Sequence, residues 1–387
     1  MHDYIERNLE TGVLAALRAN PAVAILGPRQ CGKSTLAKKL AGRLPGFLYL
    51  DLESDEDLNK LSRPELFFEY NVGRLICLDE IQRLPKIFPI LRSLLDRRGT
   101  NGQVLLLGSA SPDLINRSSE SLAGRIAYLE LTPFLAGEVL GPNKGAFKRY
   151  WLRGGYPRSF LAKNDEESFA WRENFIRTFV EKDIPQMGFR VPSPRLKRLW
   201  RMCAHFHGQT VNFSKLGESL GLSYHTIQNY VEILEQTYIF RLLQPYHANL
   251  KKRIVKSPKL YFRDPGLWHC LSGIRGFNDL MGHPMFGASW EGLGLENILA
   301  AFPGHDGYFF RASSGVEIDL ILEKGRTRTA VEFKASTAPA VGEGFRRALD
   351  DLRIDKAYVV APVASPYPLR ENIQALSLAD FLCTFHA

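Results

Sequence analysis

Cysteine is scarce in this chain: five in 387 residues, at positions 31, 77, 203, 270 and 383, with no CxxC pair and no metal-ligand spacing. That argues against a zinc ribbon or a disulfide-stapled scaffold and suits a reducing compartment. No apolar stretch approaches the roughly 18 residues needed to cross a bilayer, so no membrane span is expected. The opening MHDYIERNLE carries acids where a secretory leader has a basic and then an apolar run, and a cytoplasmic protein is the expectation. Low-complexity bias is missing as well. Gly and Pro number 32 and 22, hydrophobic residues make up 45% and charged residues 24%, an ordinary globular composition. At roughly 100–200 residues per domain the length suits two or three domains. Acids are the charge in shorter supply: 41 Asp+Glu against 50 Lys+Arg leave +9, which suits a polyanionic partner and says nothing about fold.

What is present begins with short apolar runs at 22–26 (AVAIL), 47–50, 75–78 and 104–107, separated by helical patterns, notably 33–43 and 85–97. Buried strands alternating with helices predict a parallel α/β sheet with right-handed crossovers. From about residue 141 the character changes: residues 144–201 hold 14 Lys/Arg against 6 Asp/Glu, with helical periodicity. Residues 209–245 read as three short helices and then a hairpin. Past Pro284 the pattern is mixed, with a helix at 288–301, strands near 307–311, 316–323 and 328–334, a helix at 342–353 and a strand at 356–361.

The first strand runs into GPRQCGKS at 27–34, which fills GxxxxGK[ST] with Gly27, Gly32, Lys33 and Ser34 in register. Such a loop curls its backbone N–H groups round phosphates, with Lys33 charging the β/γ oxygens and Ser34 offering a hydroxyl to Mg²⁺. Gly27, Pro28, Arg29, Gln30, Cys31, Gly32, Lys33, Ser34 and Thr35 form the expected cofactor-binding segment. LDEIQRL at 78–84 follows the third strand: Asp79 is placed to hold Mg²⁺ and Glu80 to polarise an attacking water. An acidic pair opening a helix would also be stabilised by the helix dipole. After the fourth strand, GSASPDL offers Ser109 or Ser111 as a sensor of the γ-phosphate, or else an ordinary turn. Arg125, following Gly124, reads either as an arginine finger toward a neighbour's nucleotide or as a surface ion pair. No guanine-reading NKxD element follows the fourth strand, which favours ATP over GTP.

GPRQCGKST, LDEIQRLP, GSASPDL and SLAGR, in that order, resemble an AAA+-type ATPase family of bacteria and archaea whose members carry a carboxy-terminal DUF4143 domain. The resemblance covers essentially the whole chain. It implies ATP binding at Gly32, Lys33 and Ser34, metal or catalytic roles at Asp79 and Glu80, and assembly into homo-oligomers. Cys31 departs from the bulkier residues common there, and oxidation at this position would be a liability.

FSKLGESLGLSYHTIQNYVEILEQTYIFRLLQPY at 213–246 has the order of a winged helix-turn-helix, with Gly221 at the turn and Ser223 capping the second helix. Tyr224, His225, Thr226, Gln228 and Asn229 would face a DNA groove, unless the module serves only for packing or protein contact. Lys251, Lys252, Arg253, Lys256, Lys259 and Arg263 follow with no acid among them, a strip suited to phosphates. RGGYP at 153–157 carries no chemistry that the sequence assigns. His205 and His207 lack a third ligand and read as structural.

Between 287 and 335, Glu291 and Glu296 lie on one helix, Glu317 and Asp319 two apart on a strand, and Glu332 and Lys334 two apart on the next. Residues two apart share a strand face. Asp319 and Glu332 would hold Mg²⁺, Lys334 would orient or deprotonate a water, and Glu291 would complete the metal shell. The set resembles the PD-(D/E)xK nuclease fold, and the choice of Glu291 over Glu296 rests on that resemblance. Arg311 is placed to touch a phosphate. The fold expected is therefore α/β: residues 1–142 an AAA+-type P-loop core with a parallel sheet, 143–204 a helical lid, 205–250 a winged helix, and 251–387 a restriction-endonuclease-like domain. The leading expectation is an ATPase that couples its cycle to nucleic acid, DNA favoured. The alternative is an ATP-dependent switch acting on a protein partner, with an inert carboxy-terminal docking domain.

Overall fold

A computed structural model describes residues 4–109, 120–140, 144–246, 256–312 and 315–384. The chain separates into two units, Met1–Phe134 with Gln236–Tyr238, and Leu135–Glu235 with Ile239–Ala387. The segments expected as lid and carboxy-terminal domain fall in the second, as does the expected winged helix apart from Gln236–Tyr238. Among the described residues no helix is long and apolar enough to cross a membrane.

In the first unit, helix α1 (Leu9–Ala19) precedes β1 (Ala22–Gly27), and α2 (Lys33–Ala41) follows it after a tight loop. Strands β2 (Leu48–Asp51) and β3 (Ile76–Asp79), helix α3 (Phe88–Arg98), and strands β4 (Val104–Ser109) and β5 (Ile126–Glu130) complete the frame. The sheet runs β2-β3-β4-β1-β5, parallel throughout. The alternation of side chains along β1 divides the core. Ala22, Ala24 and Leu26 pack with Leu91, Leu94 and Leu95 of α3 on one face. Val23 and Ile25 pack with Val13 and Leu17 of α1 and Leu36 and Leu40 of α2 on the other. Sandwiched between helices, β1, β3 and β4 are buried at every position, hence their unbroken apolar runs. Strand β5 lies at the sheet's edge and is only half-buried, so its IAYLE carries no such run.

The second unit includes helices α4 (Lys144–Arg153), α5 (Asp165–Thr178) and α6 (Ser193–Ala204). A two-residue strand β6 (Gln209–Thr210), helices α7 (Phe213–Leu220) and α8 (Tyr224–Gln236), and strands β7 (Phe240–Pro245) and β8 (Lys259–Phe262) make the winged-helix order. Two helices, not three, lie between 209 and 245; Gly221, in the left-handed region at φ +64°, ends the first. Helix α9 (Pro265–Leu271) leads to α10 (Phe286–Ala301), β9 (Asp306–Arg311), β10 (Glu317–Lys324), β11 (Thr327–Phe333), α11 (Glu343–Leu352) and β12 (Lys356–Val360). Strands β9, β10 and β11 are antiparallel and β12 is parallel to β11, the α-β-β-β-α-β order expected of a restriction-nuclease-like domain. Two further strands, β13 (Tyr367–Arg370) and β14 (Ile373–Leu376), extend it. One mixed sheet, β13-β14-β12-β11-β10-β9-β7-β8-β6, carries both the wing strands and this domain. The join is the parallel pairing of Gln244 with Tyr308 and Pro245 with Phe309.

RGGYP now has a structural account. The Asp264 carboxylate caps α9 at Leu267 N (2.9 Å) and also accepts from Gly155 N (2.7 Å). A Cβ at Gly154 would lie 2.2 Å from Asp264 Oδ1, and one at Gly266 would lie 2.1 Å from the Arg153 carbonyl oxygen. The glycines permit two backbones to touch. His207 is likewise structural: it is buried, stacks on Trp268 and accepts from Phe262 N at 3.0 Å. Burial pushes its pKa down to about 3.

Candidate functional site

The phosphate loop leaves β1 at Gly27 and enters α2 at Lys33. Gln30 (φ +61°) and Gly32 (φ +105°) adopt left-handed backbone, which turns successive N–H groups toward one concavity. Pro28 and Cys31 are buried, Arg29 and Ser34 half-buried, Gln30 and Thr35 exposed. Arg7 is a residue that sequence reasoning missed. Buried against the Phe134 ring, it donates to Cys31 O at 3.1 Å and Thr132 O at 2.7 Å. In a trans peptide the carbonyl and the following N–H point opposite ways, so holding Cys31 O aims Gly32 N–H away from Arg7. Cys31 is not an oxidation liability. It is fully buried, its thiol donates to Leu131 O at 3.3 Å, and burial pushes its pKa up. A Cβ on Gly27 would stand 2.1 Å from that same Leu131 oxygen. Gly27→Ala is therefore expected to destabilise the first unit by about 1–3 kcal/mol, read by thermal unfolding in far-UV circular dichroism; an unchanged midpoint would contradict the close approach.

Lys33, nearly buried, donates to the loop carbonyls of Gly27 (3.0 Å) and Pro28 (2.8 Å). Strand register sets the other groups beside it. Ser109 pairs with Gly27 at the end of β4, and Asp79 ends β3 on the far side of β4. Ser109 is buried, and among the described residues its hydroxyl has no hydrogen-bond partner; Ser111 lies outside the described residues. Asp79 is 2% exposed and accepts from the Tyr49 hydroxyl and from Glu80 N at 2.9 Å. Tyr49, which the sequence does not single out, has its pKa raised by burial and by Asp79. Ser34 in the first turn of α2 and Asp79 at the end of β3 are two hard oxygen donors of the kind that would suit Mg²⁺ held mainly by nucleotide and water. Glu80 has left-handed backbone at φ +55°, and burial raises its carboxyl pKa against the pull of Lys33.

Arg125 is elsewhere. Its carbonyl accepts from Ala22 N, at the start of β1, roughly 17 Å of strand from the loop. Its guanidinium grips Asp96 with two hydrogen bonds, Nη2 to Oδ2 at 2.9 Å. Within one chain it stands at the opposite end of β1 from the loop and forms a surface ion pair, the alternative reading of its sequence position.

A second constellation forms in the second unit. Glu291 on α10, Glu317 and Asp319 on β10, and Glu332 at the end of β11 converge as the spacing predicts. Among the first three stands Lys259 of β8, 2% exposed. Its Nζ lies 2.8 Å from Glu317, 3.1 Å from Glu291 and 3.7 Å from Asp319. Tyr261, two residues on and so on the same strand face, donates to Glu291. The other Asp319 oxygen accepts from Phe333 N at 3.0 Å, and Lys334 donates to Glu332 at 2.6 Å. Burial and the Asp319 charge push the Glu291 and Glu332 carboxyls well above the usual range. Glu296 is separate: it is clamped by Arg241 (2.7 and 3.1 Å) and Arg263, which hold its pKa down to about 2 against the opposing effect of burial. Arg311 lies 3.6 Å from Glu317.

These pairings correct the basic strip. Lys259 and Arg263 point into the fold and are neutralised there, since an unpaired buried cation costs too much to keep. Lys256 is exposed, while Lys251, Lys252 and Arg253 lie outside the described residues. On α8, Tyr224, His225 and Asn229 are exposed, and Gln228 is bonded to Glu232 at 2.8 Å.

Three stretches of the chain match known domain families. Residues 19–140 match an AAA domain family, residues 144–278 a domain of unknown function (DUF8612), and residues 286–381 a domain of unknown function (DUF4143). An uncharacterized protein of Mycobacterium tuberculosis, Rv2008c, is 39% identical over 369 residues, which is 95% of this chain and 82% of that protein. Mb2031c of Mycobacterium bovis, also described as uncharacterized, matches to the same extent. Among solved structures, the Walker-type ATPase PABY2304 of Pyrococcus abyssi superposes with a TM-score of 0.52 at 15% identity, covering 70% of this chain and 96% of that one, a likeness of fold. The chain belongs to the family of P-loop, AAA-type ATPase-like proteins that carry a DUF4143 domain at the carboxy end.

Proposed function

We propose that the chain binds and hydrolyses ATP with Mg²⁺ and uses that cycle to alter how its second unit holds nucleic acid, DNA in the first instance. The carrying observation is the convergence of Gly32, Lys33 and Ser34, the unpartnered Ser109, and Asp79 with Glu80 on neighbouring parallel strand ends. Lys33 turns from its loop carbonyls to the β/γ phosphates, Ser34 and Asp79 hold the metal, and Glu80 orients the water. The metal, when bound, neutralises phosphate charge. Arg125 acts only across a subunit boundary, which calls for a homo-oligomer. The exposed face of α8, Lys256 and the net charge of +9 support a polyanionic partner.

The test is phosphate release by the purified chain with Mg²⁺, alone and with duplex, single-stranded and four-way-junction DNA. One DNA form is expected to raise the rate; a rate indifferent to every DNA and RNA form sinks the nucleic-acid reading. A second reading, an ATP-dependent switch acting on a protein partner through an inert carboxy-terminal domain, is favoured by the buried Lys259 among the carboxylates.

A further inference from the structure

We propose that Lys259 is the resident cation of the Glu291/Glu317/Asp319 site, with Lys334 holding the neighbouring Glu332, so that this domain takes no divalent metal there. The inference stands apart from the nucleotide reading. A metal held by Glu291 and Asp319 would need their oxygens at about 2.0–2.2 Å. It would then crowd an ammonium that already lies 3.1 and 3.7 Å from those same groups, two positive charges on shared ligands. The same carboxylates have further partners: Phe333 N on the second Asp319 oxygen, Lys334 on Glu332, and Tyr261 on Glu291. Among the described residues no three carboxylate, imidazole or thiol groups are disposed to hold a metal ion.

The geometry is built rather than incidental. Lys259 enters from the wing strand β8, with its aliphatic stem buried and its Nζ over the Phe309 ring at 5.5 Å. It supplies from inside the chain the charge that Glu291, Glu317 and Asp319 require. Phosphodiester cleavage by a metal-held water is then unavailable at this site, and the carboxylates with Lys259 tie the wing to the α-β-β-β-α-β core.

Mn²⁺ binding to the full-length chain without nucleotide, read as loss of the free-ion electron paramagnetic resonance signal, tests this. The wild type and Asp319→Asn are expected to bind Mn²⁺ identically. Lys259→Met keeps the stem and removes the charge; it is expected to gain one site at least about tenfold tighter than any in the wild type, lost again in Lys259→Met/Asp319→Asn. Mn²⁺ binding by the wild type that Asp319→Asn abolishes, or a folded Lys259→Met that gains no site, overturns the proposal. Should Lys259→Met fail to fold, the comparison of wild type with Asp319→Asn decides alone.

Discussion

Lys33→Ala is expected to lower the rate of ATP hydrolysis by about 10²–10³-fold, the scale on which removing one charged or hydrogen-bonding stabiliser of a developing oxyanion acts. The substitution removes the charge that answers the β/γ phosphates, together with two bonds to the carbonyls of Gly27 and Pro28. Those bonds are worth about 1 kcal/mol each, so the first unit should remain folded with a slightly lower melting point. Phosphate release at saturating ATP measures the first effect and far-UV circular dichroism the second. A variant that hydrolyses ATP at the wild-type rate would remove Lys33 from the reaction and, with it, the phosphate-loop reading.

Glu296→Ala should destabilise the second unit by about 3–5 kcal/mol, because it removes the buried carboxylate that Arg241 and Arg263 share. The pH dependence follows from the depressed carboxyl. A group held near 2 in the folded state and near 4.5 when unfolded contributes stability that is complete above about pH 4.5 and disappears as pH falls toward 2. At about 1.4 kcal/mol per pH unit over that window, the pairing is worth roughly 3 kcal/mol. All five tryptophans lie between residues 151 and 290, so their fluorescence reports urea unfolding of the second unit selectively. The gap between wild type and Glu296→Ala should hold from pH 7 to 5 and narrow below that. A gap that stayed constant down to pH 3 would mean that packing, not charge, makes the contribution.

The phosphate loop, Asp79 and Glu80 are legible in the sequence because their geometry is local: each motif lies within a turn of a buried apolar strand. Glu291, Asp319 and Glu332 are legible for a related reason, as helical placement and a two-residue strand period put them on converging faces. Lys259 is not, because its partners come from a helix and two other strands, and nothing in the letter K distinguishes a buried ammonium from a solvated one. Its signal was Lys259-Leu-Tyr-Phe: Lys259 and Tyr261 share a face of a strand that is buried throughout, the wrong face for a phosphate contact. Arg263 and Glu296 escape for the same reason. Arg7 also gave no warning, since the carbonyls of Cys31 and Thr132 that it holds become neighbours only once β5 lies beside β1.

The pairing of β7 with β9 has a consequence for how such chains are inherited. The matches to the two families of unknown function meet between residues 278 and 286, and a gene split there would look like a cut between modules. It would strip β9 of its neighbour β7, exposing backbone donors and acceptors that invite self-association. It would also orphan Glu291 and Glu296 from Lys259, Arg241 and Arg263. Neither half is free to be shuffled onto another protein without the other, so the two should travel through evolution as a single cassette.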